Sequence, residues 1–186
     1  MEQIAESSVI FKGDVPPAVQ RQIVEFSDFH IKDVSFAHST GQRLVLTEAS
    51  VHRRPEDRKL QSRVVYTTTV DHDMINRQNT MHGGCTAFIV DVCSSVGLAF
   101  LGMVQGKPAD FVSQSIVATY HAPAPLGAKL SVVSTTTSFG ARTVASRVEI
   151  WDVTHGRLCI SGTHNKMVPK LPTPTPAGLA VGGAKL

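Results

Sequence analysis

The segment from Gly83 to Met103, GGCTAFIVDVCSSVGLAFLGM, constrains the fold more than any other part of the chain. After its two leading glycines it is apolar or small at nearly every position, so a helix made from it lacks a broad polar face and has to be enclosed by other elements. It approaches the length of a membrane span. It also contains Asp91, and an aspartate at mid-helix costs about 2.5–3.5 kcal/mol on insertion scales. A buried core helix is therefore expected, with no membrane span. QGKPAD supplies the stop, with Gly106 and Pro108 just past the last apolar turn.

The flanking sequence provides the enclosure. RLVLTEASVHR and KLQSRVVYTTTV read as two strands around the charged turn RPEDRK, and Leu60, Val64, Tyr66 and Val70 fall on one face at period two. After the helix come four more strand-like runs, FVSQSIVATYHA, AKLSVVSTTTSF, TVASRVEIWDV and RLCISGTHNKMV, separated by the turn signals PAPLG, GAR and DVTHG. Short turns between successive strands imply an antiparallel sheet. The expected class is α+β, one long central helix wrapped by that sheet. The chain has 186 residues, 42% of them hydrophobic, which suits one domain with tails. Residues 1–40 form an N-terminal extension with a short helix starting at Pro16 and Pro17, 41–168 the domain, and 169–186 a Pro/Gly-rich tail expected to be disordered.

Composition narrows the function classes. A net charge of +3 with scattered basic residues does not read as a nucleic-acid binder, but is compatible with an anionic small ligand. Three cysteines form no framework, which suggests a reducing compartment, and the eight histidines show no ligand spacing, so no metal site is expected. The opening MEQIAESSVIFKGDV resembles neither a secretory nor a transit leader. No G-x-S-x-G is present, which argues against a serine hydrolase.

Two features of the helix point to chemistry. At 100° per residue, Gly84, Ala87, Ser95 and Leu98 fall within about 40° of Asp91, while Ile89, Cys93, Val96 and Phe100 lie opposite. The carboxylate thus shares its face with mostly small residues that leave room for a ligand, and no cation lies three or four residues away. Burial would make Asp91 a stronger base; the plainer reading is a solvated or paired carboxylate. The second feature is HGG at the helix start. Its N–H groups lack helical partners, the helix dipole is positive there, and no Cβ blocks an approaching oxyanion. A tight turn that simply needs glycine accounts for it equally. Gly83 and Asp91 are eight residues apart, about 12 Å along a helix, too far for one reacting carbon. Two antiparallel helices about a two-fold axis bring Gly83 of one copy beside Asp91 of the other, so a homodimer with shared sites is expected.

NRQNTMHGGCTAFIVD resembles the signature of the hotdog-fold acyl-CoA thioesterases, in the branch of the phenylacetate-pathway and thioesterase-superfamily-member-2 type. Asn76, Gly83 and Asp91 keep both of that signature's spacings, and VSQSIVATYHAPAPLG, GARTVAS and THNKM add to the likeness, which covers about Leu44 to Val168. The resemblance implies a hotdog fold and hydrolysis of acyl-CoA to a free acid and coenzyme A, with no cofactor beyond the coenzyme A of the substrate. It implies Asp91 as base or nucleophile and Gly83 as the amide that polarises the carbonyl. Asn76 and His82 order the loop and substrate, and Ser113 positions water. Gly84, Tyr120, His121, Pro123, Gly140, Arg142 and Thr143 line the coenzyme A channel, with Arg142 as a phosphate contact and Lys166 as a second. It leaves open whether two dimers join.

Two other readings remain at this point: an enoyl-CoA hydratase or dehydratase on the same fold, and a non-catalytic acyl-CoA-binding module. The final Ala184, Lys185 and Leu186 resemble a C-terminal peroxisomal address, which implies a peroxisomal import receptor as partner; without it the expected location is cytoplasmic.

Overall fold

The computed structural model describes residues 9–169. The order is β1 (Ile10–Lys12), α1 (Pro17–Ile31), α2 (His38–Gln42), β2 (Val45–Arg53), β3 (Leu60–Thr69), a 3-10 turn (His72–Met74), α3 (Gly83–Gln105), β4 (Val112–Tyr120), β5 (Lys129–Phe139), β6 (Thr143–Asp152) and β7 (Arg157–Met167). The six strands and the long helix expected from the sequence are all present. β1, α2 and the 3-10 turn are additions too short to leave a periodic signal. The expected tail and its terminal Ala184-Lys185-Leu186 lie outside the described residues.

One seven-stranded sheet runs in the order β1-β2-β3-β5-β6-β7-β4. All its pairings are antiparallel except that of β1 with β2. The strand following the helix does not continue beside β3. β5 takes that place, and β4 crosses to the far edge, where it pairs only with β7.

α3 lies against the sheet. Its residues from Val92 to Gly102 are all buried, and Ile89, Cys93, Val96 and Phe100, the face opposite Asp91, have no exposed surface. By length and apolarity α3 is able to cross a membrane, but 78% of its apolar window is buried inside the fold. Gly97 marks the closest approach: a Cβ there would stand 3.0 Å from Ser134 Oγ and 3.3 Å from Val64. Gly106, at φ +61°, ends the helix, its N–H bonding back to Gly102 and Met103 carbonyls.

α1 begins with proline in its first turn and buries Val19, Ile23, Ser27 and Ile31, a strict i, i+4 stripe. It packs on α3, and Ser27 Oγ meets the buried Tyr66 hydroxyl at 2.7 Å. The N-terminal segment is thus part of the core and places His30 and the following Val34 and Phe36 beside α3.

Candidate functional site

The loop before α3 is closed by its own side chains. Asn76 Oδ1 accepts from the N–H of Gln78 at 2.9 Å and of Thr80 at 3.3 Å, while its amide donates to Thr80 Oγ1 at 3.1 Å. His82 is the N-cap: its Nδ1 accepts from the Gly84 N–H at 2.9 Å. That bond occupies the Gly84 amide and leaves the Gly83 N–H with no partner among the described residues, at the positive end of the helix. Gly83 lines a hollow of about 360 Å³ together with Asn76, Tyr120, His121 and Pro123. The Tyr120 hydroxyl donates to the Gly83 carbonyl at 3.2 Å, and His121 Nε2 lies 2.8 Å from Ser161 Oγ. The loop, helix start and β4 end singled out in the sequence therefore meet in one place.

Asp91 lies two turns on, in a different hollow. This one, about 420 Å³, is walled by Val34, Phe36, Phe88, Val92 and Ile116, with His30 and Gly84 at its edge. The expected burial of Asp91 is not found in the single chain, where 43% of its side chain is exposed. It is not without a cation either. Lys166 Nζ stands 3.9 Å from Asp91 Oδ1 and donates to Ser95 Oγ at 2.6 Å, and His164 Nδ1 is 3.7 Å from the same carboxylate oxygen. The cation comes from β7 across the fold, so helix spacing could not reveal it. Lys166, expected at a phosphate, is buried beside Asp91 instead, because its strand position faces inward.

His164 links this group to the edge strand. Its Nδ1 lies 2.6 Å from Ser94 Oγ and its Nε2 2.9 Å from Ser113 Oγ. Ser94 donates to the Val90 carbonyl, as helical serines do, so its lone pairs take the His164 Nδ1–H and Nε2 accepts from Ser113. Burial first, and then Lys166, push the His164 pKa down to about 4 against the pull of Asp91, so the ring is neutral at pH 7. Burial likewise lowers His30, with Lys166 adding to the effect and Asp91 and Asp110 opposing it. Burial lowers Lys166 while Asp91 raises it. The arrangement around Asp91 is one buried ammonium and two imidazoles disfavoured as cations.

This makes stability pH-dependent. The unfolded His164 takes a proton near pH 6.5, whereas the folded one resists until about pH 4. Its contribution is therefore complete above pH 6.5 and is lost as pH falls toward 4, by roughly 3 kcal/mol. Urea titrations at pH 7.5, 5.5 and 4.5 should show His164→Asn losing less stability with acid than the wild type. Equal acid sensitivity in both proteins would remove His164 as the cause.

The remaining channel residues lie elsewhere. Gly140, Arg142 and Thr143 form the β5–β6 turn, closed by the Gly140 N–H bonded to the Thr143 carbonyl at 2.9 Å, and Gly140 borders a hollow at the C-terminal end of α3. His164, Ser94 and His30 went unnoticed in the sequence, and Ser95 was noted only as a small neighbour on the Asp91 face. The available signal was THNKM, where His164 and Lys166 sit two apart on the inward face of a strand that is otherwise apolar there.

The family model described as "Thioesterase superfamily" matches residues 78–159. Human acyl-coenzyme A thioesterase 13 is 30% identical over 104 residues, 56% of this chain and 71% of that protein. The Mus musculus protein of the same name is 30% identical over 97 residues, covering 52% and 66%. Among solved structures, zebra fish thioesterase superfamily member 2 superposes with a TM-score of 0.65 at 20% identity over 78% of this chain and 96% of that one. A Streptococcus pneumoniae hypothetical thioesterase protein, solved with coenzyme A, gives 0.52 at 23% identity over 60% and 81%. These structural likenesses confirm the α+β hotdog fold, and with the sequence matches they place the chain: it belongs to the thioesterase superfamily.

Proposed function

We propose that this protein is an acyl-CoA thioesterase whose site is completed by a second copy of the chain about a two-fold axis. The observation that carries this reading is the place of the two half-sites along β4. Near its start, Ser113 bonds to His164 and so reaches Asp91; at its end, Tyr120 bonds to Gly83. β4 is also the sheet's outer strand, with Val112 53%, Val117 61% and Tyr120 57% exposed. An apolar edge of this kind is a template for another strand. Antiparallel pairing of two β4 strands centred near Ile116 sets each start against the opposite end. The partner's Gly83 is thereby brought toward Asp91, and the sheet becomes continuous.

The chemistry follows from the groups assembled. The thioester oxygen faces the partner's Gly83 N–H, which stabilises the developing oxyanion by ~2.7–4 kcal/mol, the range for one such donor. Asp91 drives the attack, either by taking a proton from water or by attacking the carbonyl carbon itself; single turnover in ¹⁸O-water separates the two by where the label first appears. Ser113, with its hydroxyl turned to the neutral His164, offers lone pairs to that water. Lys166, 3.9 Å away, holds Asp91 in place. The carbon–sulfur bond then breaks. In the first route the proton that Asp91 took from water passes to the coenzyme A sulfur, and the free acid leaves. In the second, coenzyme A leaves as the thiolate, and water hydrolyses the acyl–Asp91 anhydride to the free acid and the carboxylate, its released proton balancing the thiolate. Thiol release from a panel of alkyl and aryl acyl-CoAs tests the reading, and enoyl-CoA hydration without thiol release would replace it with the hydratase. Acyl-CoA binding without turnover would leave a binding module.

The acyl group has the apolar hollow beside Asp91. Phe36 is 75% exposed in the single chain and meets Phe88 edge-on at 5.8 Å between centroids, which makes it a movable wall. In the same panel, Phe36→Ala should shift the preferred acyl group toward longer or bulkier members and lower kcat/KM for the smallest by about tenfold, in line with ~1–3 kcal/mol per lost apolar contact. An unchanged ranking would place the acyl chain elsewhere. For Ala184-Lys185-Leu186 we propose a peroxisomal address, tested by the location of a fluorescent fusion with and without these three residues.

A further inference from the structure

Ala122, Pro123 and Ala124, in the connection from β4 to β5, share the Gly83 hollow with the loop before α3. Ala122 gives its N–H to the Cys159 carbonyl at 3.2 Å. Beyond it Pro123 and Pro125 have no N–H to give, so this stretch is held mostly through its carbonyls. The Ala124 carbonyl accepts from the Met81 N–H at 2.8 Å, two residues before Gly83. The Pro123 carbonyl turns to β7 instead. Arg157 Nη2 donates to it at 2.8 Å, and Cys159 Sγ stands 3.6 Å from it.

Arg157 is itself braced from behind. Asp152 has no exposed surface. Its Oδ1 accepts from the N–H groups of Thr154 and His155 at 3.0 and 3.1 Å. Its Oδ2 has His155 Nδ1 at 2.7 Å and Arg157 Nε at 3.4 Å. An arginine serving only as a counter-ion would set its fork on that carboxylate. Here Nε is buried and makes no hydrogen bond among the described residues, while Nη2 reaches past Asp152 to Pro123. A buried donor left unpaired is costly, so the side chain is directed at Pro123 at the expense of the ion pair.

We propose that Arg157 is a positioning residue for the Gly83 amide, an inference that rests on the thioesterase reading. Asp152 anchors the guanidinium, the guanidinium fixes the Pro123 carbonyl, and the next carbonyl in the chain fixes Met81 at the entrance to α3. This line of bonds runs from the β6–β7 turn to the helix start without touching substrate. The Gly83 N–H meets full negative charge only in the transition state, so a loosened wall costs turnover more than substrate binding.

The test is kcat and KM for acyl-CoA in Arg157→Lys and Arg157→Met. The lysine keeps a cation for Asp152, and with it the fold, but a single ammonium lacks the fork that serves two partners. Arg157→Lys should lower kcat about fivefold, the factor that one net hydrogen bond is worth, with KM within about twofold of wild type. Arg157→Met should lower kcat at least as far; if it fails to fold, Arg157→Lys carries the test. An unchanged kcat in Arg157→Lys would reduce Arg157 to a counter-ion of Asp152, and a KM rise as large as the fall in kcat would make it a substrate contact; either overturns the assignment. A second readout needs no activity. In ¹⁵N-glycine-labelled protein the Gly83 amide resonance, identified by its absence in Gly83→Pro, should move in Arg157→Lys, and an unmoved resonance also overturns the assignment. If wild type cleaves no acyl-CoA, the thioesterase reading fails, and this resonance alone decides whether Arg157 positions the helix start.

Discussion

Asp91→Asn is expected to lower kcat for acyl-CoA hydrolysis by ~10²–10⁴-fold or more while the protein remains folded. The amide matches the carboxylate in shape but accepts no proton from water and makes no nucleophile. Its second effect is on stability. Lys166 is 5% exposed, and Asp91 is the one group resolved as raising its pKa against burial. Without that carboxylate the buried ammonium is uncompensated. Asp91 is 43% exposed, so solvent screens part of the interaction, and the loss should be about 1–2 kcal/mol, below the ~3–5 kcal/mol of a fully buried pair. Adding Lys166→Met removes the stranded charge, so the double variant should recover stability in urea titrations and stay inactive. If Asp91→Asn turned over substrate, or if Lys166→Met restored turnover along with stability, Asp91 would be a structural partner of Lys166 and no more.

The fold was legible in the chain because its signals are local. Gly83 to Gln105 is apolar for too long to be anything but an enclosed helix, and the period-two runs around it set six strands. The place of β4 was not legible: antiparallel order is a local inference, whereas the exchange of β4 for β5 beside β3 depends on which strand covers α3. The same division applies to the site. HGG and Asp91 lie on one helix, so their spacing alone suggested two half-sites. The groups that set the electrostatics of Asp91 are His164 and Lys166, more than seventy residues further on, and His30, sixty-one residues before it. His30 was hidden by a weak helix whose buried stripe of Val19, Ile23, Ser27 and Ile31 contains a serine. That serine reads as surface until Tyr66 appears opposite it.

Mixing two inactive variants should restore about a quarter of wild-type activity. Gly83→Pro removes the single N–H assigned to the oxyanion and little else. Proline suits the first helical position, and His82, at φ −68° and ψ 140°, already has the extended backbone that a following proline requires. The added atoms approach the Tyr120 hydroxyl, the end of an exposed side chain able to move. Alone, Gly83→Pro should lose ~10²–10³ in kcat, the cost of one oxyanion donor. Mixed with Asp91→Asn and refolded together, about half the dimers are hybrids. In the proposed dimer each hybrid has one site with both defects and one with neither, because Gly83 and Asp91 of one site come from different chains. Separate mixing without refolding serves as the control for subunit exchange. If both groups acted within one chain, hybrids would contain only broken sites, and refolded mixtures would stay at the activity of the single variants.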